Sequence, residues 1–305
     1  MLYLCRMQLS LQLRLTGHQG SIYALEHGLD SGSFFSGGGD RIVAAWTPEK
    51  GHDGVVVARA TDAVYALCYL PASRRLLVGQ GSGAIHVIDL DTNREIRLIQ
   101  LGSSAIFTLR KHPTEQVILV LSADGVLSVL EEQSLELIRQ IRLSGKKLRS
   151  LVIDAERKRM LVGCGDGSVT VLSSEDWNLL HRFQAHAQDF SVNALCFSPD
   201  GHYILSGSRD AHLKVFSTED FREVHVIPAH NYAIYDIRFS PDGTYFATAS
   251  RDKTVKIWTY EDMKVLRRLE GNDGKGHVNS VNKLLWLDDG TLLSAGDDRA
   301  IQCWK

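Results

Sequence analysis

The chain reads as an all-β protein, a seven-bladed β-propeller, on three observations. Apolar runs end at Trp46, Ile88, Leu130, Leu172, Phe216, Trp258 and Trp304, at intervals of 42, 42, 42, 44, 42 and 46 residues. A period in the low forties is the signature of a blade array, because each repeat is a sheet that buries its faces only against its neighbours. Within a repeat the apolar runs are four to six residues long and are bounded by Pro, Asp, Gly or Ser, residues that suit tight turns. No stretch sustains a helical period, which leaves strands joined by turns.

In chain order, the first element is a strand over Leu9 to Leu15. Leu9, Leu11, Leu13 and Leu15 alternate with Gln8, Ser10, Gln12 and Arg14, the period-two pattern of a sheet with one wet face. Blade one opens with Gly17-His18 and ends in Trp46. Blades two, three and four keep the spacing but end in Ile88, Leu130 and Leu172. Blade five carries Ser-Pro-Asp-Gly at 198–201 and ends in Phe216. Blade six is the most complete: Ala229-His230, Ile234 to Phe239, a Ser-Pro-Asp-Gly turn at 240–243, Tyr245 to Ala249, Ser250-Arg251-Asp252 and Val255 to Trp258. Blade seven opens with Gly276-His277 and ends in Trp304.

With these dipeptides, turns and tryptophans the chain resembles the WD-repeat family, strongly in blades one, five, six and seven and faintly in two, three and four. The resemblance spans essentially all 305 residues. It implies four antiparallel strands per blade, with the sequence repeat offset by one strand from the structural blade. The chain then stops after the third strand of the last blade. Residues 1–16 are expected to supply the missing outer strand, so that residues 1–305 close into one domain without a raw sheet edge.

Composition narrows the function. Hydrophobic content of 44% and charged content of 23% are ordinary for a globular protein, and a net charge of −2 speaks against a generic nucleic-acid binder. The longest clean apolar run, Val117 to Leu121, is far too short to span a bilayer. The opening Met-Leu-Tyr-Leu-Cys-Arg lacks a basic segment and an adequate apolar stretch, so it is not read as a signal peptide. Cys5, Cys68, Cys164, Cys196 and Cys303 are scattered and form no Cys-x-x-Cys pair. Cys68, Cys164, Cys196 and Cys303 fall in predicted strands and read as small apolar residues, and the set reads as that of a protein in the reducing cytosol, not as a zinc site or disulfide frame.

Ser, His and Asp recur together: His18, Ser36, Asp40 with Trp46; His186, Ser206, Asp210; His230, Thr248, Asp252 with Trp258; His277, Ser294, Asp298 with Trp304. A catalytic triad is needed once, with an exposed nucleophile and an oxyanion hole. Copies at repeat spacing mean a structural task. The family resemblance implies a buried hydrogen-bond chain from Asp through His and Ser or Thr to the indole N–H. Blades two to four have Val78, Val120 and Val162 at the hydroxyl position and Ile88, Leu130 and Leu172 at the indole position, so apolar packing is expected to replace the network there.

The resemblance also implies where a partner binds: the face carrying the turns before the first strand and between the second and third. A position two residues past the opening bulge of each first strand points there, around the channel. It holds Tyr23, Tyr65, Phe107, Arg149, Asn193, Tyr235 and Asn282, the first six in phase with the blade ends. The preceding residue is aliphatic in every repeat, so the ring position faces elsewhere by alternation. Arg209 and Arg251, one residue before a turn aspartate, and Lys147, beside Arg149, add charge. Aromatic residues and arginine are the usual composition of an interaction hot spot. Insertions in blade five, around Ala187 to Phe190, and in blade seven, around Gly271 to Gly276, lie on the same face. The run Arg157-Lys158-Arg159 falls on the opposite one and reads as solvated.

The expected function is a non-enzymatic scaffold that binds a peptide or partner protein, monomeric by itself, with no cofactor, metal, membrane or nucleic acid. Two alternatives stand beside it. A propeller enzyme would need ligands converging at the channel mouth, but His86, His112, His202, His212 and His225 fall at scattered phases. A reader of a modified tail would need several aromatics to converge with a carboxylate.

Overall fold

The computed structural model describes residues 9–51, 53–271 and 276–305. Their 28 strands form seven four-stranded antiparallel sheets. Six sheets take their strands in sequence order. Blade one consists of Ile22–His27, Phe34–Gly38, Ile42–Trp46 and Val55–Arg59. The seventh sheet joins Val281–Trp286, Leu292–Gly296 and Ala300–Trp304 to Leu11–Thr16, from the other end of the chain. Leu15 lies opposite Ile301 and Arg14 opposite Gln302. Ser10 and Lys305 exchange backbone hydrogen bonds of 2.8 and 3.1 Å. The ring therefore closes through the N-terminal strand. Residues 1–8 with Cys5, and residues 272–275 of the blade-seven insertion, lie outside the described residues.

Each blade is sandwiched between two neighbours, so its second strand is buried on both faces and loses alternation. Leu76-Leu77-Val78 and Met160-Leu161-Val162 are all fully buried. The core lies between blades. Leu77, Ile85 and Val87 of blade two pack with Ile106, Leu109 and Ile118 of blade three. The closing strand spans two such layers: Leu9 joins the core between blades six and seven, and Leu15 that between seven and one. Alternation survives on that strand, with Ser10, Gln12 and Arg14 exposed.

Buried polar chains thread four blades. His18 Nδ1 lies 2.8 Å from Asp40 and Nε2 2.7 Å from Ser36 Oγ, which also accepts the Trp46 indole N–H at 2.7 Å. His230 repeats this with Asp252 and Thr248 at 2.9 and 2.7 Å and Trp258 at 2.9 Å; His277 does so with Asp298, Ser294 and Trp304. In blade five His186 meets Asp210 and Ser206, and Phe216 leaves the chain without its indole.

Two expectations need correction. Val78 and Ile88 are buried as apolar replacements, but the exchange is not wholesale. Blade two builds another chain two residues along each strand, with His86 2.9 Å from Glu95 and 3.0 Å from Gln80. The Gln80 amide donates to Thr61 Oγ1 and Ser82 Oγ at 3.0 and 2.8 Å. The basic run is not uniformly solvated either. Arg159 is buried, bonds Asp154 at 3.1 Å and the Thr218 carbonyl at 2.7 Å, and lies 5.3 Å from the Phe221 ring. Its aliphatic stem and planar head fill the space between blades four and five.

Candidate functional site

Every inner strand slips register at one residue, between Ile22 and Ala24 in blade one and between Val281 and Lys283 in blade seven, with the same slip in the five blades between. The slipped residues are Tyr23, Tyr65, Phe107, Arg149, Asn193, Tyr235 and Asn282. The ring position is thus the bulged residue itself, not one two residues beyond. A bulge frees one residue from the ladder and re-aims its side chain. The seven side chains converge, with Lys283 and Asp297, on one cavity of about 300 Å³ at the channel mouth. All seven are half-buried, whereas the residues preceding them, Ile22, Val64, Ile106, Leu148, Val192, Ile234 and Val281, are at most 1% exposed.

The mouth has two unlike halves. On one side Tyr23 and Tyr65 stack with centroids 5.0 Å apart, Phe107 meets Tyr65 edge-on at 5.5 Å, and the Arg149 guanidinium lies 4.4 Å from the Phe107 ring centre. On the other, Asn193 donates to the Ile234 carbonyl at 2.9 Å, and Asn282 donates to the Ile22 carbonyl at 3.0 Å and to Asp297 at 2.8 Å. The two asparagines therefore tie blade to blade while lining the cavity.

Lys147, Arg209 and Arg251 stand outside the cavity lining. Burial, then the charges of Arg149 and Arg209, push the Lys147 ammonium below its ordinary pKa. Burial also lowers Arg149, with Tyr235 and Tyr65 pulling the other way, and its Nε has no hydrogen-bond partner. A guanidinium stays charged regardless. Asp189 pairs with Lys146 at 3.6 Å and Asp166 with Arg182 at 2.8 Å. Arg251 lies 5.9 Å from the Tyr232 ring centre. In the blade-five insertion Phe190 is 40% exposed, and Tyr232, before the inner strand of blade six, is 59% exposed.

Below the mouth lies a second layer that the sequence reading missed: Glu26, Arg110, Asp236, Arg238 and Lys283. Asp236 holds Arg238 at 3.3 Å and Lys283 at 3.5 Å and accepts the Leu284 N–H at 3.1 Å. Burial pushes the Glu26 carboxyl up, against the pull of Arg110. Arg238 and Lys283 keep 32% and 30% of their side-chain surface exposed. The signal was present: Glu26, Arg110 and Arg238 each follow a ring residue by three. Among the described residues no group of three His, Cys, Asp or Glu is arranged to hold a metal ion.

The profile of the WD domain, G-beta repeat, matches residues 9–47, 177–217, 221–259 and 263–305, more than half of the chain. The unmatched stretch holds blades two to four, where the indole and hydroxyl positions are aliphatic. Among solved structures, the crystal structure of the WD40 beta propeller domain of Doa1 is similar, with a TM-score of 0.86 over 98% of this chain and 97% of that one. Identity is 17%, so the likeness concerns the fold. No curated protein matches the chain.

Proposed function

Since the chain belongs to the WD40-repeat family of propellers, whose members typically bind proteins or peptides, we propose that it is a non-enzymatic scaffold that docks a peptide segment of a partner protein on the channel-mouth face. One observation carries this reading: seven residues a blade apart converge on a single cavity, and they pair aromatic rings with a guanidinium. Tyr23, Tyr65, Phe107, Arg149 and Tyr235 are the anchors, Asn193 and Asn282 the polar contacts, and Lys147, Arg209 and Arg251 the rim. Large rigid side chains of this kind lose little entropy on binding and dominate interface energies.

The recurring Ser–His–Asp sets support the absence of catalysis, since their hydroxyls are buried and already committed to a ring nitrogen. Buried free thiols at Cys68, Cys164 and Cys303 support residence in the reducing cytosol. We take the protein to act as a monomer without nucleic acid. Among the described residues no helix is long and apolar enough to cross a membrane. Reading of a methylated lysine is disfavoured, because the aromatic row ends on a guanidinium that repels a second cation.

The test is a Tyr65→Ala, Tyr235→Ala double variant compared with the wild type in cross-linking capture, followed by titration of the captured partner. Loss of a hot-spot pair weakens binding by about 2 kcal/mol or more, with little change in melting temperature. Variants that bind normally but melt early would make the ring a piece of core, and this reading would fail.

A further inference from the structure

Two cations line the mouth cavity: Lys283, on the blade-seven side, is held by Asp236 at 3.5 Å, whereas Arg149, on the aromatic side, has no carboxylate partner among the described residues. Lys147 stands two residues before Arg149 and feels the charges of Arg149 and Arg209, and among the described residues none of the three pairs with a carboxylate. Arg149 is held by the face of Phe107 and keeps a buried Nε without an acceptor. Internal stability alone does not explain this arrangement. Clustered like charges repel, and a half-desolvated guanidinium is ordinarily matched by an anion. The chain as a whole has a net charge of −2, so the cationic cluster is a local feature. Opposite it, blade seven contributes Asp297 to the same cavity.

We propose that the docked segment is an acidic peptide with an apolar or aromatic anchor. This deepens the docking reading and rests on it. The anchor seats against the row of Tyr23, Tyr65 and Phe107. A neighbouring aspartate or glutamate of the peptide meets Arg149, and Lys147 and Arg209 draw in a second carboxylate. On the far side Lys283 is already held by Asp236, so Asp297 sets the direction in which the acidic end lies, because the reversed peptide places like charges together.

A single-stranded nucleic acid is the other polyanion that combines with aromatics and cations, and the geometry disfavours it. Tyr23 and Tyr65 are stacked on each other at 5.0 Å, which leaves no slot for a base between them. A phosphate backbone following the ring would also pass Asp297.

A random peptide library displayed on phage, selected on the wild-type protein and counter-selected on the Tyr65→Ala, Tyr235→Ala variant, tests the proposal. The winning peptides are then synthesised and titrated by fluorescence anisotropy at low and physiological salt. Aspartate and glutamate should be enriched next to an aromatic or aliphatic residue. Exchanging those acids for their amides should weaken binding about 10-fold or more, and added salt should weaken it further. A Lys147→Glu, Arg209→Glu variant should lose the acidic peptides to a similar degree, at an unchanged melting temperature, and gain affinity for lysine-exchanged versions. Winners without acidic enrichment that still need Tyr65 and Tyr235 overturn this inference and leave the docking reading intact. Winners indifferent to both tyrosines overturn the docking reading itself. An empty selection, or tighter binding of a single-stranded DNA oligomer than of any acidic peptide, also overturns the inference.

Discussion

At the scale of single residues, His230 and Asp252 show what the buried chains contribute. Burial works to raise the Asp252 carboxyl, but hydrogen bonds from His230 and Thr254 outweigh it and hold the group far below its ordinary range. Burial pushes the His230 imidazole down, more strongly than Asp252 pulls it up. Removing Asp252 strips His230 and Thr254 of an acceptor, so Asp252→Ala should cost about 1–3 kcal/mol in a urea titration. Ser82→Ala should cost less, because Ser82 is half-exposed, receives one bond from Gln80, and leaves that amide paired with Thr61. Equal losses would remove the special standing of Asp252. The same shifts set a pH dependence. Both groups bind protons more readily when unfolded, so the His230 contribution is complete above about pH 6.5 and drains below it, while the Asp252 contribution drains only below about pH 4. The melting temperature should therefore fall between about pH 6.5 and about pH 4.5. His230→Gln should start lower yet lose less over that window. Parallel slopes in scanning calorimetry would show that His230 does not titrate there.

At the scale of elements, the inner strand and the strand beside it are shaped by how closely blades approach. A Cβ on Gly207, in the second strand of blade five, would come within 2.6 Å of Ile234 Cγ2 and 3.0 Å of Ile237 Cδ1 in blade six. The glycine is there to let the next blade's inner strand pack down. Gly207→Val should thus cost about 1–3 kcal/mol by overpacking, read as a lower urea midpoint at unchanged slope. No shift would mean that the two sheets can separate freely. The bulge one position past Ile234 is the counterpart of that close packing: the aliphatic residue is sealed between blades, and the following one is released toward the channel.

At the scale of the whole molecule, closure depends on a strand contributed from the far end of the chain. Without it the last blade would present the free edge of Ala300–Trp304, and both adjoining cores would lose their leucines, Leu9 from one and Leu15 from the other. Deleting residues 1–15 should lower the melting temperature and promote aggregation through that edge. We take the ring to unfold as one unit, so the loss should appear as one shifted transition. A truncated protein that melts at the wild-type temperature and stays monomeric in light scattering would show that closure contributes nothing.

The spacing of the sequence determined the blade count and the phase of the ring residues, and its alternation marked the N-terminal strand that the family resemblance assigned to closing the circle. These are properties of spacing and alternation, which survive in one dimension. The same regularity showed Asp, His and Ser or Thr recurring at fixed offsets in blades one, five, six and seven, and the family resemblance implied that they form polar chains. It misplaced the bulge by two residues, since a bulge is a mismatch between two strands and leaves no mark on either alone. It missed Gln80, His86 and Glu95, whose contact depends on three strands lying side by side. Whether Asn193 merely lines the mouth or also bonds the Ile234 carbonyl was decided by the pitch between adjacent blades. So were the stacking of Tyr23 on Tyr65 and the seat of the Arg149 guanidinium on Phe107, which follow from that packing and not from the composition of the chain.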